Sequence, residues 1–382
     1  MNGKIFQSFM MGGFECSTHR NPRGKRLDLI NSTNHDQLAA SDYYRLMEMG
    51  MQTARDGVRW HLIEREPYKY DFSSLENQVR AVRETGIEVI WDIFHYGFPD
   101  DLDIFSAAFP ERFARFALAT TKYLADNLGE KLFLCPVNEI SFFAWAGGEV
   151  GVFHPLAVGR GDELKQQLVK AAIASTQIIK SEFPAVRFVA TDPAIHVIAG
   201  GSRSPHLQRA AEKYRRAQFE GFDMLCGRLK PELGGKPEYL DIIGLNYYFH
   251  NQWRYPSRRK IALGHAEYRP FSEILREYHE RYKRPILIAE TGIEDEKRPE
   301  WFRYVCEQTR IAQSKNVPIA GICLYPIVNH PGWADNRHCH NGLWDYADDW
   351  GEREIYQPLA DEIMFQEKLF ANKAEMTASA KN

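Results

Sequence analysis

A pattern that recurs eight times along the chain places the strongest constraint on its fold. In each repeat, a short apolar or β-branched run is followed by a polar loop and then by a segment with the apolar spacing of a helix. The predicted strands are 5–13, 54–59, 88–94, 132–137, 187–190, 240–245, 285–289 and 319–325. The predicted helices are 35–49, 74–85, 111–128, 162–182, 209–229, 272–282, 298–315 and a segment that begins at Glu354. Alternating strands and helices favour a parallel sheet, and eight such units predict a closed (β/α)₈ TIM barrel.

A single domain over residues 1–370 is the simplest organisation. A chain of 382 residues buries about 75% of its unfolded surface, and no Gly-, Ser- or Pro-rich linker divides it. A doubly wound sheet, the competing architecture, usually carries a GxGxxG turn after its first strand, and the stretch from Gly12 to Glu15 does not form one. Residues 371–382 are small and polar without an apolar period, so we expect a disordered C-terminal tail.

The composition excludes several classes of protein. The chain has 48 Lys and Arg against 51 Asp and Glu, and a net charge of −3 does not favour a nucleic-acid partner. No apolar stretch reaches the roughly 18 residues of a membrane span, and no leader-like hydrophobic block is evident, so we expect a cytoplasmic protein without a membrane partner. The six cysteines are scattered and include no CxxC pair, which predicts buried free thiols.

Polar side chains follow the predicted strands at the points where they end. They are Glu15, Arg59, His95, Asn138 with Glu139, Asn246 with Tyr248, Glu290 and Trp333. In a parallel barrel the carboxyl ends of all strands meet at one mouth, so these side chains are expected to line a polar pocket suited to a sugar.

Two of these residues, Glu139 and Glu290, carry the most weight. Each directly ends an apolar run, LFLCPVNE and PILIAE, which places a charge at the edge of the barrel interior. Two neighbouring glutamates repel one another, which raises the proton affinity of one and leaves the other ionised. Glycoside hydrolysis needs this division between an acid and a nucleophile.

Five segments together resemble the clan A glycoside hydrolases, and most closely glycoside hydrolase family 1, the β-glucosidase family of retaining (β/α)₈ enzymes. The segments are GVRWHLIE (57–64), FHYGFPDDL (94–102), PVNEI (136–140), IIGLNYYFH (242–250) and ILIAETGI (286–293). They occur in the family's order and at the predicted strand ends. Either glutamate motif alone would be weak evidence, but the set predicts an active enzyme.

The resemblance implies roles for individual residues. Glu139 is the implied acid/base, Glu290 the nucleophile, Arg59 the arginine that contacts the nucleophile, Tyr248 the tyrosine that holds it, His95 a ligand of a sugar hydroxyl, and Asn138 a neighbour of the sugar 2-hydroxyl. The implied reaction is double displacement on a small glycoside, with the carboxyl groups about 5 to 5.5 Å apart. No metal or organic cofactor is required.

The resemblance weakens where the family recognises the glycone. In GICLYPIVNHPGW (321–333), Tyr325 replaces a tryptophan and Gly332 replaces the glutamate that binds distal hydroxyls, whereas Trp333 is retained. Glu15 stands where the family has a hydroxyl-binding glutamine. We therefore expect an altered glycone, with a cationic or modified group, or a relocated hydroxyl contact.

Other interpretations of the sequence remain open. Arg337, His338 and His340 lie in the strand-eight loop and could meet a 6-phosphate, although the family's serine-lysine-tyrosine phosphate pattern is not evident. The same covalent intermediate could serve a transglycosylase, and a barrel with this pocket could be a non-catalytic carbohydrate-binding protein. His338 and His340, with Cys339, have HxH spacing, but without an obvious partner set a metal-free loop is favoured.

Overall fold

The fold is a closed barrel of eight parallel strands. The computed structural model describes residues 4–201 and 204–379. The barrel strands are β1 (Met10–Gly13), β2 (Thr53–Gly57), β3 (Glu88–Asp92), β4 (Phe133–Cys135), β5 (Arg187–Pro193), β6 (Ile242–Asn246), β7 (Ile286–Thr291) and β8 (Ile319–Leu324). Each strand pairs in parallel with its neighbours in chain order, and β8 pairs with β1. The predicted (β/α)₈ TIM barrel is confirmed.

One main helix follows each strand. These helices are α1 (His35–Glu48), α2 (Glu76–Thr85), α3 (Phe109–Leu128), α4 (Gly161–Glu182), α5 (Pro205–Arg216), α6 (Phe271–Tyr282), α7 (Arg298–Ser314) and α8 (Gln357–Ser379). The predicted helix 209–229 is shorter at its end than expected: α5 passes through a 3₁₀ turn, Ala217–Phe219, into a separate helix, Glu220–Leu225. None of the described helices combines the length and the apolar character needed to cross a bilayer.

Shorter elements occupy the loops. Short α-helices are Leu29–Ser32, Trp60–Ile63 and Ile140–Phe143, the last followed by a π-helix, Ala144–Glu149. Further 3₁₀ turns are Phe72–Leu75, Pro231–Leu233, Pro237–Tyr239 and Asp295–Lys297. Short strands outside the barrel are His196–Ile198, Gln252–Arg254, Arg259–Lys260, His330–Pro331, His338–Cys339, Trp344–Ala347 and Arg353–Ile355. The last four belong to the loop region that follows β8.

Two layers of apolar side chains hold the barrel together. A large cluster fills the space between the strands and the helices, as in the packing of Trp60 against Phe116 with ring centroids 4.9 Å apart. A separate cluster of ten buried residues is drawn largely from the strands themselves: Phe6, Met11, Ile90, Phe133, Val189, Ile242, Leu287, Ala289, Cys323 and Tyr325. Because both faces of each strand are buried, most of the strands carry apolar side chains at successive positions rather than at alternate ones.

The last helix runs into the segment for which the sequence predicts a C-terminal tail. The backbone of α8 is helical as far as Ser379, which covers most of the segment 371–382 predicted as a tail. Ala, Lys, Glu and Met in this segment have high intrinsic helix propensity, so it extends an existing helix without an apolar period of its own. Residues 380–382 lie outside the described part of the chain.

Candidate active site

Glu139 and Glu290 meet at the carboxyl end of the barrel. Glu290 lies within β7, where it is in register with Asn246 at the end of β6. Asn246 Nδ2 donates a hydrogen bond of 2.9 Å to Glu139 Oε1, so one amide connects the two positions. Both carboxylates are nearly enclosed, with 8% of Glu139 and 5% of Glu290 exposed.

The surroundings of Glu139 favour its protonated form. Its backbone is left-handed (φ 49°) and directly precedes the helix Ile140–Phe143. The Tyr96 hydroxyl donates to Oε2, and Asn246 donates to Oε1. Burial, and then the negative charges of Glu290 and Asp192, raise the pKa of Glu139 to about 8. Among the described residues, no cationic side chain forms an ion pair with this carboxylate.

Glu290 has the opposite kind of environment. Arg55 Nη1 donates to its Oε1 at 2.7 Å, and the Tyr248 hydroxyl donates to its Oε2 at 2.8 Å. Burial raises the pKa of Glu290 above its ordinary value, whereas Arg55, His95 and Tyr248 oppose that rise. Because a guanidinium touches Glu290 and none touches Glu139, Glu290 is the member of the pair that ionises first. Tyr248 makes the contact that the sequence predicted for it.

The arginine that contacts Glu290 is Arg55, so the contact predicted for Arg59 is wrong. Arg55 is fully buried, and its guanidinium also binds Asp92 through Nε and Nη2 (3.0 and 2.7 Å) and Asn138 Oδ1 (2.8 Å). Arg59 instead donates through Nη1 to Asp36 (2.9 Å). A second contact of Nη1, with Asp28, is 3.3 Å long, so Arg59 binds the segment around α1 rather than the barrel mouth.

The alternation of side chains along β2 and the point where the strand ends explain this difference. Successive side chains of a strand point to opposite faces, and Asp56 points outward, where it accepts hydrogen bonds from Tyr43 and Gln78 on the surrounding helices. Arg55 therefore points inward. The strand ends at Gly57, and Arg59 directly precedes the helix Trp60–Ile63, which directs it away from the barrel axis.

His95 and Asn138 lie in the same cluster but are bonded to one another. His95 Nδ1 is 2.9 Å from Asp92 Oδ2, and its Nε2 is 3.1 Å from Asn138 Nδ2. Asn138 Nδ2 also donates to the Tyr96 hydroxyl at 3.1 Å, while its Oδ1 accepts from Thr191 at 2.8 Å. A sugar hydroxyl would have to replace one of these hydrogen bonds, so direct sugar binding by either residue stays a prediction.

The predicted glycone residues border this cluster. Glu15 is 8% exposed, accepts a hydrogen bond from the Ser17 amide at 3.0 Å, and forms no ion pair among the described residues. Its charge contributes to the raised pKa of Tyr325, whose main cause is burial. Trp333 meets His19 edge-on with centroids 4.6 Å apart, and its buried indole Nε1 has no hydrogen-bond partner among the described residues. An acceptor on a ligand could satisfy that donor.

Three important side chains were missed by the sequence reasoning: Arg55, Asp92 and Tyr96. A signal for the first two was present, because each is a charged residue inside a buried run, TARDG and EVIWD, where an unpaired charge is costly. Tyr96 lay in a recognised motif, but nothing in its spacing indicated that it would donate to Glu139.

Cys16, Asp92 and His95 bring potential metal-ligand atoms together, but their surroundings do not suit a metal ion. Cys16 Sγ lies 3.1 Å from His95 Nδ1, and both contact Asp92. Burial, and then the charge of Asp92, raise the pKa of the Cys16 thiol well above its usual range, which disfavours a thiolate. Asp92 is already neutralised by the Arg55 guanidinium, whose charge would repel a cation.

Arg337, the arginine of the strand-eight loop, is paired with a carboxylate of the protein. Arg337 forms a two-pronged ion pair with Glu294, with N–O distances of 2.5 and 2.6 Å. A carboxylate thus occupies the guanidinium face that a sugar phosphate would need. This contact does not favour the phosphorylated-substrate alternative.

The barrel, with one glutamate after β4 and another in β7, has the fold of the family 1 β-glucosidases. A family 1 β-glucosidase from Thermotoga maritima superimposes with a TM-score of 0.76 and 15% identity, over 95% of this chain and 97% of that one. A β-glucosidase from Exiguobacterium marinum gives 0.76 and 15%, over 97% and 99%. The Thermotoga maritima enzyme in complex with glucoimidazole gives 0.75 and 14%, over 97% and 98%. No protein-family model and no curated protein matches the sequence.

Proposed function

We propose that this protein is a retaining β-glycosidase that hydrolyses a small β-linked glycoside by double displacement. The observation that carries the proposal is the unequal environment of two adjacent buried carboxylates. Glu139 has no cationic partner and a pKa of about 8, whereas Glu290 is paired with Arg55. One carboxylic acid and one carboxylate in a single site are the reactive groups of this class of enzyme.

The steps follow from these protonation states. Glu139 gives its proton to the departing glycosidic oxygen while Glu290 attacks the anomeric carbon, which forms a glycosyl-enzyme ester. Glu139, now a carboxylate, then removes a proton from water, which attacks the anomeric carbon and releases Glu290. Arg55 and Tyr248 hold the two oxygens of Glu290 throughout, which fixes the direction of attack.

The stereochemistry of the first-formed product tests this mechanism. A separation of about 5 to 5.5 Å between the carboxyl groups leaves no room for an interposed water and predicts retention. A screen of aryl β-glycosides and natural disaccharides, with NMR detection of the product before mutarotation, measures both the substrate and the anomer. Inverted product would contradict double displacement, and no turnover of any glycoside would favour the carbohydrate-binding alternative.

The pH dependence of turnover is expected to follow Glu139. The general acid must be protonated for the first step, so the rate should fall as the pH rises through about 8, the pKa of Glu139. This fall is the basic limb of the pH–rate profile, and it should be absent in Glu139→Gln. Turnover of substrates with poor leaving groups should drop by about 10²- to 10⁴-fold, whereas a dinitrophenyl glycoside, which leaves without a proton, should form the ester at a nearly normal rate.

Asp192 offers a matched control for this assignment. Its buried carboxylate accepts hydrogen bonds from the Ser141 amide (2.9 Å) and hydroxyl (2.5 Å), and its charge raises the pKa of Glu139. Asp192→Asn removes the charge but leaves Glu139 in place, so the basic limb should move to lower pH without disappearing. A basic limb unchanged in both variants would show that another group sets it.

Glu15 is the basis for a proposal about the glycone. Its carboxylate is nearly buried beside the catalytic cluster and forms no ion pair among the described residues, so an ammonium or hydroxyl group of the sugar would satisfy it. A hydrogen bond to a charged group contributes about 1.5 to 3 kcal/mol. Glu15→Gln should therefore raise KM for amino-sugar glycosides by about tenfold or more, with little effect on neutral glucosides. An unchanged ranking of the two substrate classes would rule out this role.

A further inference from the structure

We propose that His338, His340 and Asp345, outside the candidate active site, bind a divalent transition-metal ion. One ligand atom from each of the three side chains lies within 4.8 Å of the others. His338 Nε2 is 2.6 Å from Asp345 Oδ1, and the two imidazole rings stack with centroids 4.1 Å apart. The sequence supplied only the HxH pair, and the folded chain supplies the third ligand.

The local backbone brings the three side chains together. The short strand His338–Cys339 pairs with His330–Pro331, and its alternation directs His338 and His340 to the same side. Asp345 belongs to a second hairpin, in which Trp344–Ala347 pairs with Arg353–Ile355. The site therefore lies between two hairpins of the region after β8, and a bound ion would crosslink them.

The donor set indicates the class of ion. Two imidazoles and one carboxylate suit Zn²⁺ and its first-row neighbours, with water in the remaining position, whereas Mg²⁺ and Ca²⁺ prefer oxygen ligands alone. The side chains of His338 and Asp345 are 35% and 33% exposed, so the cluster lies at the protein surface, although His338 Nε2 itself is covered.

The contact between His338 and Asp345 is close but poorly aligned for a hydrogen bond. Although Asp345 Oδ1 is only 2.6 Å away, His338 Nε2 has no hydrogen-bond partner of acceptable geometry among the described residues. Asp345 Oδ1 already accepts a hydrogen bond of 2.7 Å from the Tyr346 amide. The nearby arginine, Arg337, is paired with Glu294 and does not occupy the cluster. A cation coordinated by both groups, about 2.0 to 2.2 Å from each, would satisfy them after the two atoms move apart by less than about 1 Å.

Calorimetric titration of the full-length protein with Zn²⁺, after treatment with a chelator, tests the site. We expect one equivalent to bind and to raise the melting temperature, because an ion that binds only the folded state stabilises it. His340→Ala and Asp345→Asn should each weaken binding by at least about tenfold. Titration with Co²⁺ should give the visible absorption of a site with nitrogen and oxygen ligands, and Mg²⁺ should not compete.

His265→Ala is the matched control. This exposed histidine also lies near a carboxylate, with Nδ1 3.9 Å from Glu267, but it is outside the cluster. It should leave Zn²⁺ binding and the melting-temperature shift unchanged. Absence of a bound equivalent, or equal binding by the wild type, His340→Ala and Asp345→Asn, would overturn the proposal. Glycoside turnover is not needed for this test, so the result is independent of the proposed function.

Discussion

Glu290→Gly should reduce glycoside hydrolysis by on the order of a thousandfold or more, because no covalent intermediate can form without the attacking carboxylate. The substitution also opens a small space beside Arg55 and Tyr248, both of which remain as donors. Formate or azide can enter that space and attack the anomeric carbon from the same side. We therefore expect added anion to restore turnover of an activated aryl glycoside, with a product of inverted configuration, which NMR would identify.

Glu294→Gly is the matched control for this experiment. Glu294 lies four residues further along the chain and pairs with Arg337 at the edge of the strand-eight loop, outside the cluster around Glu139 and Glu290. It should keep turnover close to that of the wild type and should not respond to formate or azide. Substantial hydrolysis by Glu290→Gly without an added anion would exclude Glu290 as the nucleophile.

Arg55→Met should have the second-largest effect, and it should act on both stability and catalysis. Removing the guanidinium leaves Asp92 and Glu290 buried without their cation, and losing one partner of a buried ion pair costs about 3 to 5 kcal/mol. The pKa of Glu290 should rise, because Arg55 is its main lowering influence. The acidic limb of the pH–rate profile should then move to higher pH, since Glu290 must lose its proton to attack.

Comparison with Arg59→Met separates the effect of Arg55→Met on stability from its effect on catalysis. Arg59 is also buried, with Asp28 and Asp36 as partners, so its removal should lower the free energy of urea unfolding but leave the acidic limb in place. Arg55→Lys keeps a positive charge but loses the planar guanidinium that reaches several acceptors at once. It should therefore be more stable than Arg55→Met, and it should still shift the acidic limb of the pH–rate profile. An acidic limb that moves in Arg59→Met and not in the Arg55 variants would reverse the assignment.

The sequence predicted the barrel and singled out the two glutamates because both depend on signals that a single chain carries. Eight buried runs with intervening helices have few alternative packings. Glu139 and Glu290 were conspicuous as charges at the ends of apolar runs. Tyr248 was placed correctly by its motif, and its hydroxyl donates to Glu290 as expected.

The misassignment of Arg59 shows what a single chain does not determine. A barrel strand is buried on both faces, so its apolar pattern does not indicate which side chains point inward or where the strand ends. Arg55 and Arg59 both lie in the predicted strand 54–59 and would share one face of it, so they differ because β2 ends at Gly57, between them. Asp345 was missed for a related reason, since its contact with His338 depends on how two hairpins pack.

The guanidinium of Arg55 joins groups from three other parts of the barrel: Asp92 of β3, Asn138 beyond β4, and Glu290 of β7. A fragment that lacks any of these strands leaves the buried guanidinium without one of its partners, however well its remaining helices form. Recovery of turnover after dilution from denaturant should therefore follow closure of the complete ring, and it should lag behind the return of helical circular dichroism.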